Sequence, residues 1–226
     1  MSLSELDHPA WHALSGAHRP LAIRHGAAAR YRPSIGAFAA LPPGAGSRDW
    51  ADLATIAGAD EVVFLGLPHE VPDGWDELAR FEAVQMIAPL GFGRPHDDVV
   101  RLTADDSAEM LELATATRPG PFFAESHLFG AYYGVRDGGR LVAMAGERLT
   151  TDAWTEISAV CTRDDHRGRG LATRLIETVA DGIREAGRRP FLHTGIGNVT
   201  AQRLYAHLGF ERRTTANAVQ RVRVAR

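Results

Sequence analysis

The sequence contains no lysine; all 25 of its basic residues are arginine. That excludes the Gly-Lys-Ser/Thr loop of nucleoside triphosphatases, whose lysine reaches the terminal phosphates. There is one cysteine, Cys161, so neither an internal disulfide nor a cysteine-based metal cluster can form within one chain. No apolar run approaches a membrane span, and the start Met1-Ser2-Leu3-Ser4-Glu5 lacks the charged-then-apolar pattern of a signal peptide. A cytoplasmic protein with no membrane partner is expected. His8 and His12 have the spacing of a metal pair on a helix, but no third ligand of that type follows, so no metal is expected.

What is present is an ordinary globular composition, 45% hydrophobic and 23% charged over 226 residues, enough for one large domain or two small ones. The net charge of −3 hides an asymmetry, because residues 161–226 carry 13 Arg against 6 Asp and Glu. Those arginines surround a glycine loop and have no aromatic residues interleaved as stacking platforms, which favours a polyanionic small ligand over nucleic acid. The acidic balance of residues 1–160 favours a cationic amine as a second ligand.

Residues 1–48 show weak periodicity, and Leu41 to Ser47 is a loop by composition. Asp49–Ala57 is expected as a helix, Glu61–Leu65 and Ala83–Ile87 as strands, with Pro68, Pro72 and Gly74 as breakers and Gly91–His96 as a linker. From Val99 the order predicted is β-α-loop-β-β-β-α-β-α-β. Val99–Leu102 is a strand, a helix opens at Thr103, and Arg118–Phe123 is a stiff loop. Asp137-Gly138-Gly139 turns a hairpin between Tyr132–Arg136 and Arg140–Gly146. Trp154–Thr162 and Phe191–Thr194 are strands, Asn198 caps a helix that Gly209 ends, and Ala218–Val224 is the last strand.

The centre of this pattern is Arg167-Gly168-Arg169-Gly170-Leu171-Ala172, between a β-branched strand and a helix of about four turns bearing Leu171, Leu175, Ile176, Val179 and Ile183. A helix start has unpaired N–H groups and partial positive charge, the glycines admit close approach, and Arg167 and Arg169 supply planar donors. A phosphate or pyrophosphate is the expected ligand. A dinucleotide-binding fingerprint would need glycine where Thr173 stands and an acid where His193-Thr194 stands.

The segment resembles the GNAT acetyltransferase superfamily, whose signature Arg/Gln-x-x-Gly-x-Gly/Ala is met by Arg167, Gly170 and Ala172. A second landmark is met by Asn198, Ala201, Tyr205 and Gly209-Phe210. The likeness covers about residues 99–226, and Glu156-Ile157-Ser158 with Phe191-Leu192-His193 resemble the branch that includes glycine N-acyltransferases. The resemblance implies an α/β (α+β) fold, a mixed, mostly antiparallel sheet flanked by helices, with residues 97–226 as the acyl-CoA-binding catalytic domain. Residues 1–96, which show no glycine-loop match, are either a degenerate GNAT-like half over the acceptor site or an extension serving stability or homodimerisation.

The resemblance further implies acetyl-CoA as acyl donor, its pyrophosphate on the N–H groups of Arg167, Gly168, Arg169, Gly170, Leu171 and Ala172. Its pantetheine arm would pair as an added strand with the backbone of Val160 and Thr162, with Asn198 on the other side. The acceptor would be a primary amine on a small molecule or peptide, attacking in a direct ternary complex. An N–H near Val160 would face the oxyanion, Tyr205 would protonate the leaving thiolate, and Glu156, directly or through water, would be the base, with His193 second. Tyr205 shares a helical face with Ala201, Leu204 and Leu208, so a core tyrosine is the competing reading; Glu156 could equally face solvent and His193 pack within its strand. Cys161, in an apolar strand, is a poor nucleophile. The rival of another class is a non-catalytic acyl-CoA-binding regulatory module on the same fold.

Overall fold

The computed structural model describes residues 3–58, 62–66, 69–213 and 217–225, with backbone alone at 217 and 218. Glu61 and Pro68, expected in a strand and at a breaker, lie outside the described residues. In chain order the elements are α1 (Pro9–Ser15), β1 (Ala22–His25), β2 (Ala28–Tyr31), β3 (Phe38–Ala40), α2 (Ser47–Ile56), β4 (Val63–Gly66), β5 (Trp75–Ile87) and β6 (Val100–Leu102). There follow α3 (Ser107–Thr117), β7 (Tyr132–Asp137), β8 (Arg140–Thr150), β9 (Trp154–Thr162), α4 (Leu171–Glu185), β10 (Arg189–Gly195), α5 (Val199–His207), β11 (Glu211–Arg212) and β12 (Asn217–Val224). No helix among the described residues is long and apolar enough to cross a membrane.

The expected order from Val99 onward holds, apart from the two-residue β11. The N-terminal part is richer than its sequence pattern indicated. Its α1 and three short strands are Ala-rich and too brief for a period to register, and β5 starts at Trp75 rather than Ala83 because residues 75–82 are largely exposed and carry no apolar alternation.

All the strands join one mixed sheet in the order β1-β2-β3-β4-β12-β5-β10-β9-β8-β7-β6, with β11 also on β5. Two stretches of it repeat one pattern. β7, β8 and β9 run antiparallel, α4 crosses over, and β10 lies parallel to β9; β1, β2 and β3 run antiparallel, α2 crosses over, and β4 lies parallel to β3. The final strands are exchanged, since β5, which follows β4, pairs antiparallel with β10, while β12, from the C-terminal end, pairs with β4. β5 and β12 pair with each other, so the sheet runs unbroken across the expected boundary at residues 96 and 97. Deleting residues 1–96 would strip β10 and β12 of β5, so the two parts do not separate cleanly. Gly91–His96 is a loop as expected but is pinned to α4, where the Arg94 N–H donates to the Glu177 carbonyl at 3.1 Å.

Helix α4 presents Leu175, Ile176, Val179 and Ile183, all essentially buried, to Val84, Met86, Ile157 and Leu192 on one sheet face. Burying each such side chain is worth roughly 1.5–3 kcal/mol, so this layer fixes α4 against β9 and β10. The opposite face meets α1 through Leu6, Tyr31, Trp154 and Phe191. Strand alternation therefore puts Glu156 and His193 on the α1 side of the sheet and Ile157 and Leu192 on the α4 side.

Candidate active site

Parallel pairing of β9 with β10 ends at Ile157 and Leu192, and from Ser158 onward the two strands part. The cause is local. Ala159 adopts a positive φ of 54°, and the β8 register slips between Met144 and Gly146, a bulge that bends β9 away. Holding a non-glycine residue there costs on the order of 1–3 kcal/mol, which the flanking pairings sustain. The Arg163 N–H donates back to Val142 on β8 at 2.8 Å, so strand alternation turns the amides of Thr162 and Val160 into the gap.

The glycine loop closes one end of that gap. Gly168 and Gly170 have φ of 77° and 75°, values that suit glycine, and a Cβ built on either would meet nothing within 4 Å. The first internal bond of α4 runs from the Arg174 N–H to Gly170, which leaves the N–H groups of residues 168–173 without partners among the described residues. Arg167 pairs with Asp164 at 2.7 Å and Arg169 lies 3.8 Å from Asp137. Both side chains are largely exposed, so these pairs are weak and exchange readily for a phosphate. This open cradle of donors at a helix start suits a pyrophosphate.

A cavity of about 1000 Å³ runs from this cradle through the gap to the opposite face of the sheet. Every residue expected to hold the donor lines it except Arg169: Val160, Thr162, Arg167, Gly168, Gly170, Leu171, Ala172, Asn198 and Tyr205. Asn198 caps α5 by accepting the Ala201 N–H on Oδ1 at 3.1 Å. Tyr205 is 7% exposed, and its hydroxyl has no hydrogen-bond partner among the described residues. Burial pushes its pKa up to about 12, so the phenol keeps its proton at neutral pH. Loop residues Arg118, Pro119, Gly120 and Pro121 line the same cavity. So do Phe38, Phe64, Phe81 and Ala83 from the N-terminal part, which residue periodicity alone could not have assigned to the site.

Glu156 departs from its expected role. It is fully buried, not solvent-facing; its Oε1 receives Arg148 Nη2 at 2.7 Å and Oε2 receives Arg148 Nε at 2.8 Å. Oε1 also receives His193 Nδ1 at 2.7 Å. Burial alone would raise its pKa, but the Arg148 guanidinium and His193 outweigh it and hold the carboxyl at about 2. A carboxylate so stabilised is a poor proton acceptor, which counts against Glu156 as direct base. His193, by contrast, lines the cavity. Its Nε2 stands 3.0 Å from Gln85 Nε2, whose amide also donates to the Leu6 carbonyl at 2.9 Å. Gln85 Oε1 accepts from Arg213 at 2.6 Å, so the amide presents N–H to His193 and the imidazole turns its Nδ1 proton to Glu156. Cys161 is buried and burial raises its thiol to about 11, which leaves it inert as expected.

The FR47-like protein family matches residues 132–219, the span holding the gap, the cradle and both helices around them. A GNAT-family acetyltransferase candidate from Novosphingobium aromaticivorans is 38% identical, with a TM-score of 0.89 over 98% of this chain and 99% of that one. A GCN5-related N-acetyltransferase from Kribbella flavida shares the fold at 18% identity, with a TM-score of 0.63 over 96% of this chain and 95% of that one. A GCN5-related N-acetyltransferase-like protein from Streptococcus suis shares it at 19% identity and a TM-score of 0.59, over 94% and 92%. No curated protein matches the chain. Identity of 38% sustained over nearly the whole length of both chains, on a fold with this gap and this cradle, places the chain in the GNAT family.

Proposed function

We propose that the protein is an N-acetyltransferase that moves an acetyl group from acetyl-CoA to a primary amine of a small molecule or peptide, in a direct ternary complex. The observation that carries this reading is the single cavity joining an open anion cradle to the far face of the sheet through the gap between β9 and β10. The N–H groups of residues 168–173, with Arg167 and Arg169, would hold the pyrophosphate; the free amides of Val160 and Thr162 would pair with the pantetheine arm. Acetyl-CoA supplies the activated acyl group as a thioester.

In the reaction the amine nitrogen bonds to the acyl carbon, the carbon–sulfur bond breaks, the ammonium proton departs and the thiolate gains one. A strand N–H near Val160 would face the developing oxyanion. Tyr205, protonated and lining the cavity, would give its proton to the thiolate. His193 would accept the amine proton at Nε2, the incoming amine taking the place of the Gln85 N–H there. Glu156 then acts as a positioning residue, its charge steadying the imidazolium from Nδ1.

Residues 1–96 are proposed as a degenerate GNAT-like half that supplies the acceptor wall, a reading supported by the repeated pairing pattern and by Phe38, Phe64 and Phe81 on the cavity. Kinship with the glycine N-acyltransferase branch, suggested by Glu156-Ile157-Ser158 and Phe191-Leu192-His193, is proposed as ancestry and does not fix the acceptor. The test is calorimetric titration with acetyl-CoA of the wild type and of an Arg167→Ala, Arg169→Ala variant, followed by an amine screen. Binding that the variant loses, with turnover of an amine, is expected. Binding without any turnover would leave an acyl-CoA-binding module, and no binding would overturn both.

A further inference from the structure

The cavity's charged lining does not follow the acidic balance of the first 160 residues. Among its lining residues Glu82 is the one carboxylate, and alternation along β5 turns it to the α4 side with Val84 and Met86. The acceptor face instead has Arg118 at its rim, Arg148 and Arg221. Arg148 is neutralised by Glu156. Arg221 is not: it makes no ion pair among the described residues, its Nε is buried without a hydrogen-bond partner, and its guanidinium lies over the Phe64 ring at 5.7 Å. A part-buried cation with an unmet donor is a standing cost to the fold, one that a ligand oxygen would remove.

Its place along the wall sets a length. His193 pairs with Gln85 on β5, and Arg221 pairs with Ala79 on the same strand. Those positions on β5 are six residues apart, about 20 Å of extended chain at ~3.3 Å per residue. Between them the wall is apolar, made of Ala83, Phe81, Val219 and Phe64, with Phe38 beside Phe64 at 5.8 Å. An α-amino acid, whose carboxylate is two bonds from its nitrogen, cannot reach both ends.

We infer that the acceptor is an elongated molecule with the reacting amine at one end, an apolar middle along Phe38, Phe64 and Phe81, and a carboxylate at the far end received by Arg221. This names the acceptor class of the proposed acetyl transfer and rests on that reading. The planar guanidinium fork matches a carboxylate in two parallel bonds, and the ring beneath it holds the fork in orientation.

The test uses straight-chain ω-aminocarboxylic acids of increasing length, with glycine as the shortest, and their carboxamides. Each is titrated into the acetyl-CoA-loaded protein and assayed for turnover, with the wild type, Arg221→Gln and Arg221→Lys. For the longer members the wild type is expected to bind the acid roughly tenfold or more tighter than the carboxamide, as a charge-assisted bidentate pair would give. Glycine should bind weakest. Arg221→Gln should collapse that ratio towards one while acetyl-CoA affinity, the check on folding, stays put, and Arg221→Lys should restore part of it. Equal binding of acid and carboxamide, a preference that survives Arg221→Gln, or binding by none of the acids would overturn the inference. Arg221-dependent binding with no turnover would keep the carboxylate site at Arg221 and overturn the assignment of its ligand as the acetyl acceptor.

Discussion

The two strand–loop–helix crossovers of the sheet have one topology and opposite chemistry. Where β9 leads into α4, the loop opens on unpartnered N–H groups flanked by two exposed arginines. Where β3 leads into α2, the helix also starts at a glycine, Gly46, but its N–H donates to Asp49 Oδ2 at 2.8 Å. Asp49 is the third residue of α2; Thr173 is the third residue of α4. A carboxylate at that position satisfies the helix start from within and repels any anion outside. The strands differ in the same sense. Across the parallel pair β9–β10 stand Glu156 and His193, joined at 2.7 Å; across β3–β4 stand Phe38 and Phe64, ring to ring. A fold offers the same two places twice, and side-chain choice fills one with a buried polar pair and the other with two aromatic rings.

The largest expected effect breaks the buried pair. Glu156→Gln leaves Arg148 without its counter-charge in a buried setting and should cost ~3–5 kcal/mol in denaturant unfolding. Wild-type stability should also depend on pH in a defined window. The folded value of about 2 lies below the ordinary ~4.3, so the stabilisation is complete above pH ~4.3 and is lost as pH falls towards 2. The variant should lack that acid limb; an unchanged limb would mean Glu156 is not the group responsible.

Next comes conversion of one crossover into the other. Thr173→Asp gives α4 the carboxylate that α2 has, able to take the Gly170 N–H as Asp49 takes that of Gly46. Acetyl-CoA affinity should fall ~10²-fold or more, through competition for donors and like-charge repulsion, while an acid in the first turn leaves the helix intact or slightly firmer. Retained affinity would show that the pyrophosphate does not sit on this helix start.

The C-terminal crossover was legible in the sequence because its parts are long and its chemistry unusual. The strand, two glycines, two arginines and an amphipathic helix all fall within one short stretch, and α4, Asn198 and Gly209 lie where their patterns put them. The N-terminal crossover was legible only in part: the helix expected over Asp49–Ala57 and the strand over Glu61–Leu65 match α2 and β4, but β3 is three residues long and a self-capped helix start leaves no motif. The role of Glu156 was hidden for another reason. Arg148 lies eight residues away across a bulged hairpin, a spacing with no local signature, so only the folded register brings the two together.

A smaller effect separates the two readings of Tyr205, whose helix has no counterpart after β4 among the described residues. Tyr205→Phe removes a hydroxyl that has no partner among the described residues, so stability should hardly change. A proton donor in the transition state should instead show as kcat lowered roughly 10²-fold with little change in KM. An unaltered kcat would make Tyr205 a packing residue and leave solvent to protonate the thiolate.

The smallest effect falls on the silent crossover. Asp49→Ala removes the carboxylate that holds the Gly46 N–H, and loss of such a cap costs about 1 kcal/mol of stability. Because α2 lies against Leu41, Val63, Leu65 and Val222, well away from the cradle, acetyl-CoA affinity should not move. The freed helix start should still fail to bind inorganic pyrophosphate, because the first turn of α2 offers one arginine, Arg48, its N-cap Gly46 is extended rather than left-handed, and the Ala45 N–H is already taken by the Pro42 carbonyl at 3.1 Å. Pyrophosphate binding by this variant with the α4 loop already disabled by Thr173→Asp would show that the two crossovers differ by a single carboxylate. Its absence would show that the anion site needs the glycines and both arginines as well.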